Sequence, residues 1–138
     1  MAIKEKCIEI IKSKIIKLSD RASSHCYFIN DDQTEVSKII VDGCAITNGV
    51  RCDFLLKSNK FKENFIELKG GDVPHAIDQI VNSINILSDD PKNAPKRCFV
   101  ISTSNPLSST QTQMNKLKFR KAFNAFLVFA RPGEKFPI

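Results

Sequence analysis

Two kinds of hydrophobic spacing divide the first half of the chain into a helix and strands. Across residues 3–18, apolar residues recur every three or four positions, which predicts an amphipathic opening helix. Polar residues dominate residues 19–35, which are predicted to form a loop. Residues 38–46 and 50–56 are rich in β-branched and alternating apolar residues, so they predict two strands joined by an Asn-Gly turn. A third strand, residues 64–69, completes a predicted meander.

Helical and strand patterns alternate in the second half of the chain. Apolar residues at helical spacing follow Pro74, which suits the first turn of a helix, and this helix is expected to end near Ser88. Residues 97–102 and 125–130 are apolar on both alternating faces, which predicts strands covered on both sides. Between them a helix is expected from about Thr110, and the last eight residues are predicted to form a tail.

The predicted order is therefore αβββαβαβ, which indicates an α/β fold with a mixed sheet and helices on both faces. No repeat, linker or low-complexity segment interrupts it, so we interpret residues 1–138 as a single domain. The hydrophobic fraction of 42% and the charged fraction of 26% fit a soluble globular protein. No apolar run reaches membrane-spanning length, and lysines interrupt the first apolar stretch, so we expect no secretory signal, no membrane partner and a cytoplasmic location.

Cysteine usage favours buried free thiols. The five cysteines are an odd number at irregular spacings, which argues against a disulfide framework. A zinc site is a less favoured alternative, because tetrahedral sites usually have closer paired ligands. Its candidate ligands are His25, Cys26, Cys44 and Cys52.

The charge balance favours an anionic partner. Twenty-one basic residues against fifteen acidic residues give a formal net charge of +6, which attracts polyanions. Basic residues concentrate in the connection between the second and third strands and in the last helix. Such residues hold a phosphate backbone without selecting a base sequence, although solvated surface is an alternative interpretation. The predicted phosphate contacts are the turn lysines, Lys57, Lys60 and Lys62, and the helix cations, Lys116, Lys118, Arg120 and Lys121.

The third strand carries the most specific candidate chemistry. Side chains alternate along a strand, so Phe65, Glu67 and Lys69 are predicted to project together, away from Ile66 and Leu68. Two glycines follow at once at positions 70 and 71, where a bulky anion could approach the backbone. An ordinary ion pair between the acid and the lysine is the alternative interpretation.

The motif of Asp53, thirteen residues and then Glu67-Leu68-Lys69 resembles the PD-(D/E)XK nuclease superfamily, which has a restriction-endonuclease-like fold. The predicted order of elements agrees with that fold over roughly residues 3–131. The resemblance implies that Asp53 and Glu67 bind Mg²⁺, with Mn²⁺ as a substitute, and that the Leu68 carbonyl is a further ligand. It also implies that Lys69 lies beside the attacking water.

A second similarity, to RecB-type members, lies in the helix that follows. These members carry a glutamine about ten residues after the lysine and often a histidine one turn earlier, which correspond to Gln79 and His75. The resemblance implies a catalytic role for Gln79 and a nucleic-acid contact for His75, against the alternative of a solvated helix face. Ser83 stands where that branch usually has a tyrosine.

Three other acids stay open as contributors to the site. Asp42 lies in the first predicted strand and competes with Asp53, and Glu9 and Glu35 are weaker candidates for an additional metal ligand.

Two functions follow as expectations. The first is a metal-dependent nuclease that acts on DNA, with RNA left open, and that dimerises to cut two strands. The second is an inactive nuclease-like module that binds nucleic acid or a partner protein.

Overall fold

A six-stranded mixed sheet forms the centre of the fold in the computed structural model, which describes residues 3–20, 24–69 and 72–138. Gly70 and Gly71, which follow the proposed motif, lie outside the described residues. The strands, in chain order, are Ile8–Ile11 (β1), Ile15–Ser19 (β2), His25–Ile29 (β3), Val36–Ile40 (β4), Phe54–Lys57 (β5), Glu63–Lys69 (β6), Lys96–Ser102 (β7), Ala125–Ala130 (β8) and Lys135–Pro137 (β9). The α-helices are Val73–Leu87 (α1) and Ser109–Phe123 (α2), and Glu5–Cys7 forms a short 3₁₀-helix.

The central sheet has the strand order β1-β4-β5-β6-β7-β8. Pairing is antiparallel from β1 to β6 and parallel from β6 to β8. A second sheet has the order β2-β3-β9, with β2 antiparallel and β9 parallel to β3. The prediction of an α/β class with a mixed sheet is therefore confirmed.

The two faces of the central sheet are covered by different layers. On one face, α1 and Phe119 of α2 pack against alternating sheet residues such as Leu55, Phe65 and Val100. On the other face, β2 and β3 pack against residues such as Ile66 and Phe99. The expectation of helices on both faces is wrong, because β6, β7 and β8 advance in one direction and right-handed crossovers then place both helices on the same side.

The amino-terminal prediction is also wrong. Instead of one helix, the first residues form the 3₁₀-turn, β1 and β2, and Ile10 and Ile15 of the predicted apolar arc are 55% and 59% exposed. The side chains of Ile16 and Leu18 are buried at a spacing of two, as a half-buried strand requires. β3 replaces part of the predicted loop, and β9 lies in the predicted tail.

The elements from β4 to β8 follow the predicted order of three strands, helix, strand, helix and strand. β4 and β5 are shorter than predicted, because residues 41–53 fold as turns that include Gly49 at a φ of 83°. α1 begins at Val73 with Asp72 accepting a hydrogen bond from the His75 N–H, and it ends at Leu87 as expected. α2 begins with a capping box between Ser108 and Gln111.

The cysteine prediction is partly wrong. Cys7 and Cys44 form a disulfide, which excludes Cys44 from the alternative zinc site. Cys26, Cys52 and Cys98 are buried free thiols, as predicted. Among the helices of the described residues, none combines the length and the apolar character needed to cross a lipid bilayer.

Candidate functional site

Two neighbouring strands bring Asp53 and Glu67 together. Asp53 is the bend residue directly before β5, and Phe54 pairs with Ile66, the residue before Glu67. The Asp53 N–H donates to the Ile66 carbonyl at 3.1 Å, which holds Asp53 next to this part of β6. Asp53 Oδ2 accepts a hydrogen bond from the Leu68 N–H at 2.8 Å. Glu67 follows Phe65 at a spacing of two, so both project to the same face of the sheet, as alternation along a strand predicts. The Asp53 and Glu67 carboxyl groups line a common cleft.

Burial controls the ionisation of this carboxyl pair. Glu67 is 2% exposed, and burial together with the neighbouring negative charge of Asp53 raises the pKa of Glu67 to about 9. Burial also raises the pKa of Asp53, although its hydrogen bond from the Leu68 N–H opposes the rise. Because both pKa values are raised, the pair retains a proton at pH values where isolated acids would be ionised.

Two buried oxygen atoms in the same cleft have no hydrogen-bond partner within the described residues. They are Glu67 Oε1 and Gln79 Oε1. Lys69 Nζ lies 3.7 Å from Glu67 Oε2, and Gln79 Nε2 donates to the Arg51 carbonyl at 2.9 Å. Buried oxygen acceptors usually have a partner, so this arrangement favours an additional cation or hydrogen-bond donor.

The carboxyl pair opens into a cleft of about 630 Å³. Asp53, Glu67, Leu68, Lys69 and Gln79 all line it, so the structure brings together every residue predicted for catalysis or metal binding. His75, predicted to contact nucleic acid, is exposed one turn before Gln79 and is not among the lining residues.

Asp20 is a cleft residue that the sequence did not reveal. It follows β2 and lines the cleft together with Asp42, so four carboxyl-bearing residues surround the same space. The negative charge of Asp20 contributes to the raised pKa of Asp53. A strand interpretation of residues 15–19 would have placed Asp20 at a strand end, where functional side chains often lie.

Ser83 has a supporting role that the sequence also did not reveal. Its hydroxyl group accepts a hydrogen bond from the Cys52 N–H at 2.8 Å and donates one to the Gln79 carbonyl at 2.8 Å. The buried serine therefore fixes the residue before Asp53 against α1.

The alternative acids have separate positions. Asp42 lines the cleft, but its Oδ1 accepts a hydrogen bond from Arg51 Nε at 2.8 Å. Glu9 is on the edge strand β1, and its Oε1 atom lies 4.0 Å from Lys38 Nζ. Glu35 lies 3.7 Å from Lys12 in a different cleft. Among these three, Asp42 alone adjoins the carboxyl pair.

The turn lysines lie at the other end of the sheet. Lys57 ends β5, four residues after Asp53, which is about 13 Å along an extended strand. Its ammonium group lies 3.4 Å from Asp89 Oδ2. Lys57 and Lys62 line a second polar cleft, while Lys60 Nζ lies 5.5 Å from the Phe61 ring centroid.

The helix cations are also separate from the carboxyl pair. A single residue, Asn124, separates the end of α2 from the start of β8, so Arg120 and Lys121 lie towards the amino ends of β7 and β8. Lys118 and Lys121 line a groove between α1 and α2, and Lys116 is half-buried. The structure therefore does not group the predicted phosphate contacts with the carboxyl pair.

The donor set of the cleft fits a hard cation. Mg²⁺ prefers oxygen ligands and retains several waters, so one or two carboxylates suffice as protein ligands. Among residues 3–20, 24–69 and 72–138, no group of three or more His, Cys, Asp and Glu side chains is arranged as a metal site. A cation here would therefore rest on Asp53, Glu67 and backbone or water oxygens.

No family model, no curated protein and no solved structure matches this chain.

Proposed function

We propose that the protein is a Mg²⁺-dependent nuclease of the PD-(D/E)XK type that hydrolyses DNA phosphodiester bonds. Mn²⁺ is expected to replace Mg²⁺, and RNA stays an alternative substrate. The observation that carries the proposal is the pairing of Asp53 with the almost fully buried Glu67, one of whose oxygens has no partner within the described residues. Carboxyl groups bind a divalent ion in their ionised form, so metal binding at this pair would release the retained proton.

Asp53 and Glu67 would hold the ion, and the Leu68 carbonyl is a further proposed ligand. When bound, Mg²⁺ supplies Lewis acidity that lowers the pKa of a water and offsets charge on the phosphate. The Leu68 N–H keeps Asp53 oriented towards the cleft. Glu67 must lose its proton before both carboxylates can act as ligands, so the neutral form is the resting form of the metal-free site.

Lys69 and Gln79 have positions suited to a water nucleophile and a phosphate. The ammonium group of Lys69 lies beside Glu67 and can donate hydrogen bonds to the water or to a phosphate oxygen that gains charge. Gln79 is held through its amide nitrogen, which leaves its oxygen to accept a hydrogen bond from the same water. Preorganised donors of this kind contribute to rate because they need no rearrangement during the reaction.

The order of elements from β4 to β8 supports the proposal, because it repeats the strand and helix order that the resemblance implies. The opening helix implied by the resemblance is replaced by β1 and β2, and Asp20 at the end of β2 supplies an acid on that side of the cleft.

A second candidate function is a non-catalytic binding module. The separation of the basic clusters from the carboxyl pair favours it.

Cleavage assays on plasmid and branched DNA test the two candidates. Purified protein is expected to nick DNA with Mg²⁺ or Mn²⁺ and to be inactive in EDTA. Glu67→Gln removes a proposed ligand and should abolish cleavage. Lys69→Met removes one donor and should lower the rate by about 10²–10³-fold.

Glu9→Gln is the matched control, because Glu9 is an exposed carboxylate outside the cleft and its loss should leave cleavage unchanged. Circular dichroism establishes that each variant is folded. DNA binding without any metal-dependent cleavage would contradict the nuclease proposal and favour the binding module.

A further inference from the structure

A pocket of about 350 Å³, distinct from the two polar clefts described above, lies at the end of the central sheet opposite the carboxyl pair. Its walls combine the Phe61 and Phe126 rings with Arg97, and Lys60 and Lys62 also line it. Its volume falls within the range of small-molecule pockets, about 300–1,000 Å³. Flat apolar walls beside cations suit a ligand that is both planar and anionic.

Phe126 is an exposed aromatic residue of this pocket. It lies on the edge strand β8 and is 60% exposed, while its neighbours Ala125 and Leu127 are buried. Phe126 projects to the same face of the central sheet as Phe99. It is not part of the apolar cluster that the three-stranded sheet β2-β3-β9 forms on that face. An exposed aromatic ring on an edge strand loses contact with water when a planar group stacks on it.

Arg97 is a half-buried cation that has only neutral partners in this pocket. Its Nε donates to Asn64 Oδ1 at 2.7 Å, and its Nη2 donates to the Pro137 carbonyl at 2.9 Å. Among the described residues, no carboxylate lies within ion-pair distance of its guanidinium. The guanidinium carbon lies 3.5 Å from the centroid of the Phe61 ring, so a charged plane and an aromatic plane are already stacked.

A second arginine, Arg120, lies against Phe126. The Arg120 guanidinium lies 4.3 Å from the centroid of the Phe126 ring and is held by one hydrogen bond, to Asn124 Oδ1 at 3.2 Å. Arg120 is exposed, so it can move aside or cover a group that stacks on Phe126. Arginine planes and aromatic rings are the usual stacking partners of unpaired bases.

We propose that this pocket binds an unpaired nucleobase of single-stranded nucleic acid, which stacks on Phe126 beside Arg97 while Lys60 and Lys62 contact the adjoining phosphates. The proposal goes beyond nuclease activity, because it requires neither a metal ion nor the carboxyl pair. It also gives a location to two turn lysines and to Arg120, which lie far from the acids.

The pocket and the carboxyl pair are joined by one strand. β6 runs from Glu63, which lines the pocket, to Lys69, which lines the cleft of the carboxyl pair, and its seven residues span about 20 Å. A nucleic acid held at both places would therefore have its unpaired base and its reactive phosphodiester at opposite ends of the sheet.

Fluorescence anisotropy with a labelled oligothymidylate, measured in EDTA on the Glu67→Gln background, tests the proposal without interference from cleavage. Phe126→Ala should weaken binding by about 5- to 150-fold, as expected for the loss of one stacked base. Phe126→Trp should retain binding, whereas Phe126→Leu, which is apolar but not aromatic, should weaken it. Ile10→Ala is the matched control, since Ile10 is 55% exposed on the opposite edge strand.

Three results would overturn the proposal. One is wild-type binding by Phe126→Leu or Phe126→Ala, and another is an equal loss in Ile10→Ala. The third is a dimer in sedimentation that dissociates in Phe126→Ala, which would make this surface an interface with a second copy. Loss of cleavage in Glu67→Gln has no bearing on these outcomes, so the two proposals fail separately.

Discussion

At the scale of single residues, Glu67 is the side chain with the least ordinary surroundings. A carboxyl group excluded from water normally gains several hydrogen bonds or a counter-ion. Glu67 has a second acid beside it and a lysine ammonium group 3.7 Å away. Its position therefore lowers the stability of the metal-free fold, which is the usual cost of a functional site.

The protonation of Glu67 predicts an unusual dependence of stability on pH. Its pKa is raised from 4.5 to about 9 in the folded chain, so between these values the folded state binds more protons than the unfolded state. The contribution of Glu67 to the free energy of unfolding is therefore fully present below about pH 4.5. It is lost as the pH rises from there through about 9, by at most about 1.4 kcal/mol per pH unit for one proton. Urea unfolding in EDTA at several pH values measures this slope.

Glu67→Gln is the comparison for that experiment, because an amide of similar shape cannot titrate. The variant should show a shallower slope and should be more stable than the wild type at pH 9 in EDTA. Parallel slopes for the two proteins would show that Glu67 is not the titrating group.

At the scale of elements, the disulfide constrains the segment that borders the acid cleft. Cys7 precedes β1, and Cys44 lies in the turns after β4, two residues from Asp42. The bond closes a loop with a sequence separation of 37 residues, which restricts the unfolded chain. It also ties the turn that carries Asp42 to the start of the edge strand.

Loss of this bond should lower the free energy of unfolding by about 3–4 kcal/mol, from the entropy of the closed loop. Cys44→Ser should therefore unfold at a lower urea concentration than the wild type. Dithiothreitol should lower the wild-type midpoint and leave the Cys44→Ser midpoint unchanged. A wild-type midpoint that dithiothreitol does not move would contradict the expectation.

The sequence predicted some elements better than others, for physical reasons. β6, β7, β8 and α1 were predicted nearly to the residue, because the apolar patterns of these elements are continuous and α1 has Pro74 in its first turn. The start of α2 was also predicted closely, although Phe119 is its one buried residue among those described. The isoleucine-rich start matched a helical spacing equally well, and only pairing with β3 and β4 decided in favour of strands. The common face of Glu67 and Lys69 followed from alternation along a strand, and Asp53 followed from the resemblance to the nuclease motif. Asp20 was missed because it follows β2, whose residues were predicted to be helical.

At the scale of the whole molecule, the proposed cation site predicts that Mg²⁺ stabilises the fold. A ligand that binds only the folded chain adds about 2.7 kcal/mol at one hundred times its dissociation constant, which is roughly 5–10 °C in Tm for a domain of this size. Differential scanning fluorimetry at constant ionic strength measures the shift. Asp53→Asn should lose it and Glu9→Gln should retain it, whereas equal Tm values with Mg²⁺ and with EDTA would argue against a cation site.

The opposite ends of β6 also give the molecule an electrical polarity. Asp20, Asp42, Asp53 and Glu67 surround the cleft at one end, while Lys60, Lys62, Arg97 and Arg120 gather near the other. A nucleic acid bound as proposed would be attracted to the cationic pole and repelled from the acidic pole until divalent ions neutralise the acidic pole. Capture would come before any approach to the acids, and the cation concentration would decide whether a captured strand can reach them.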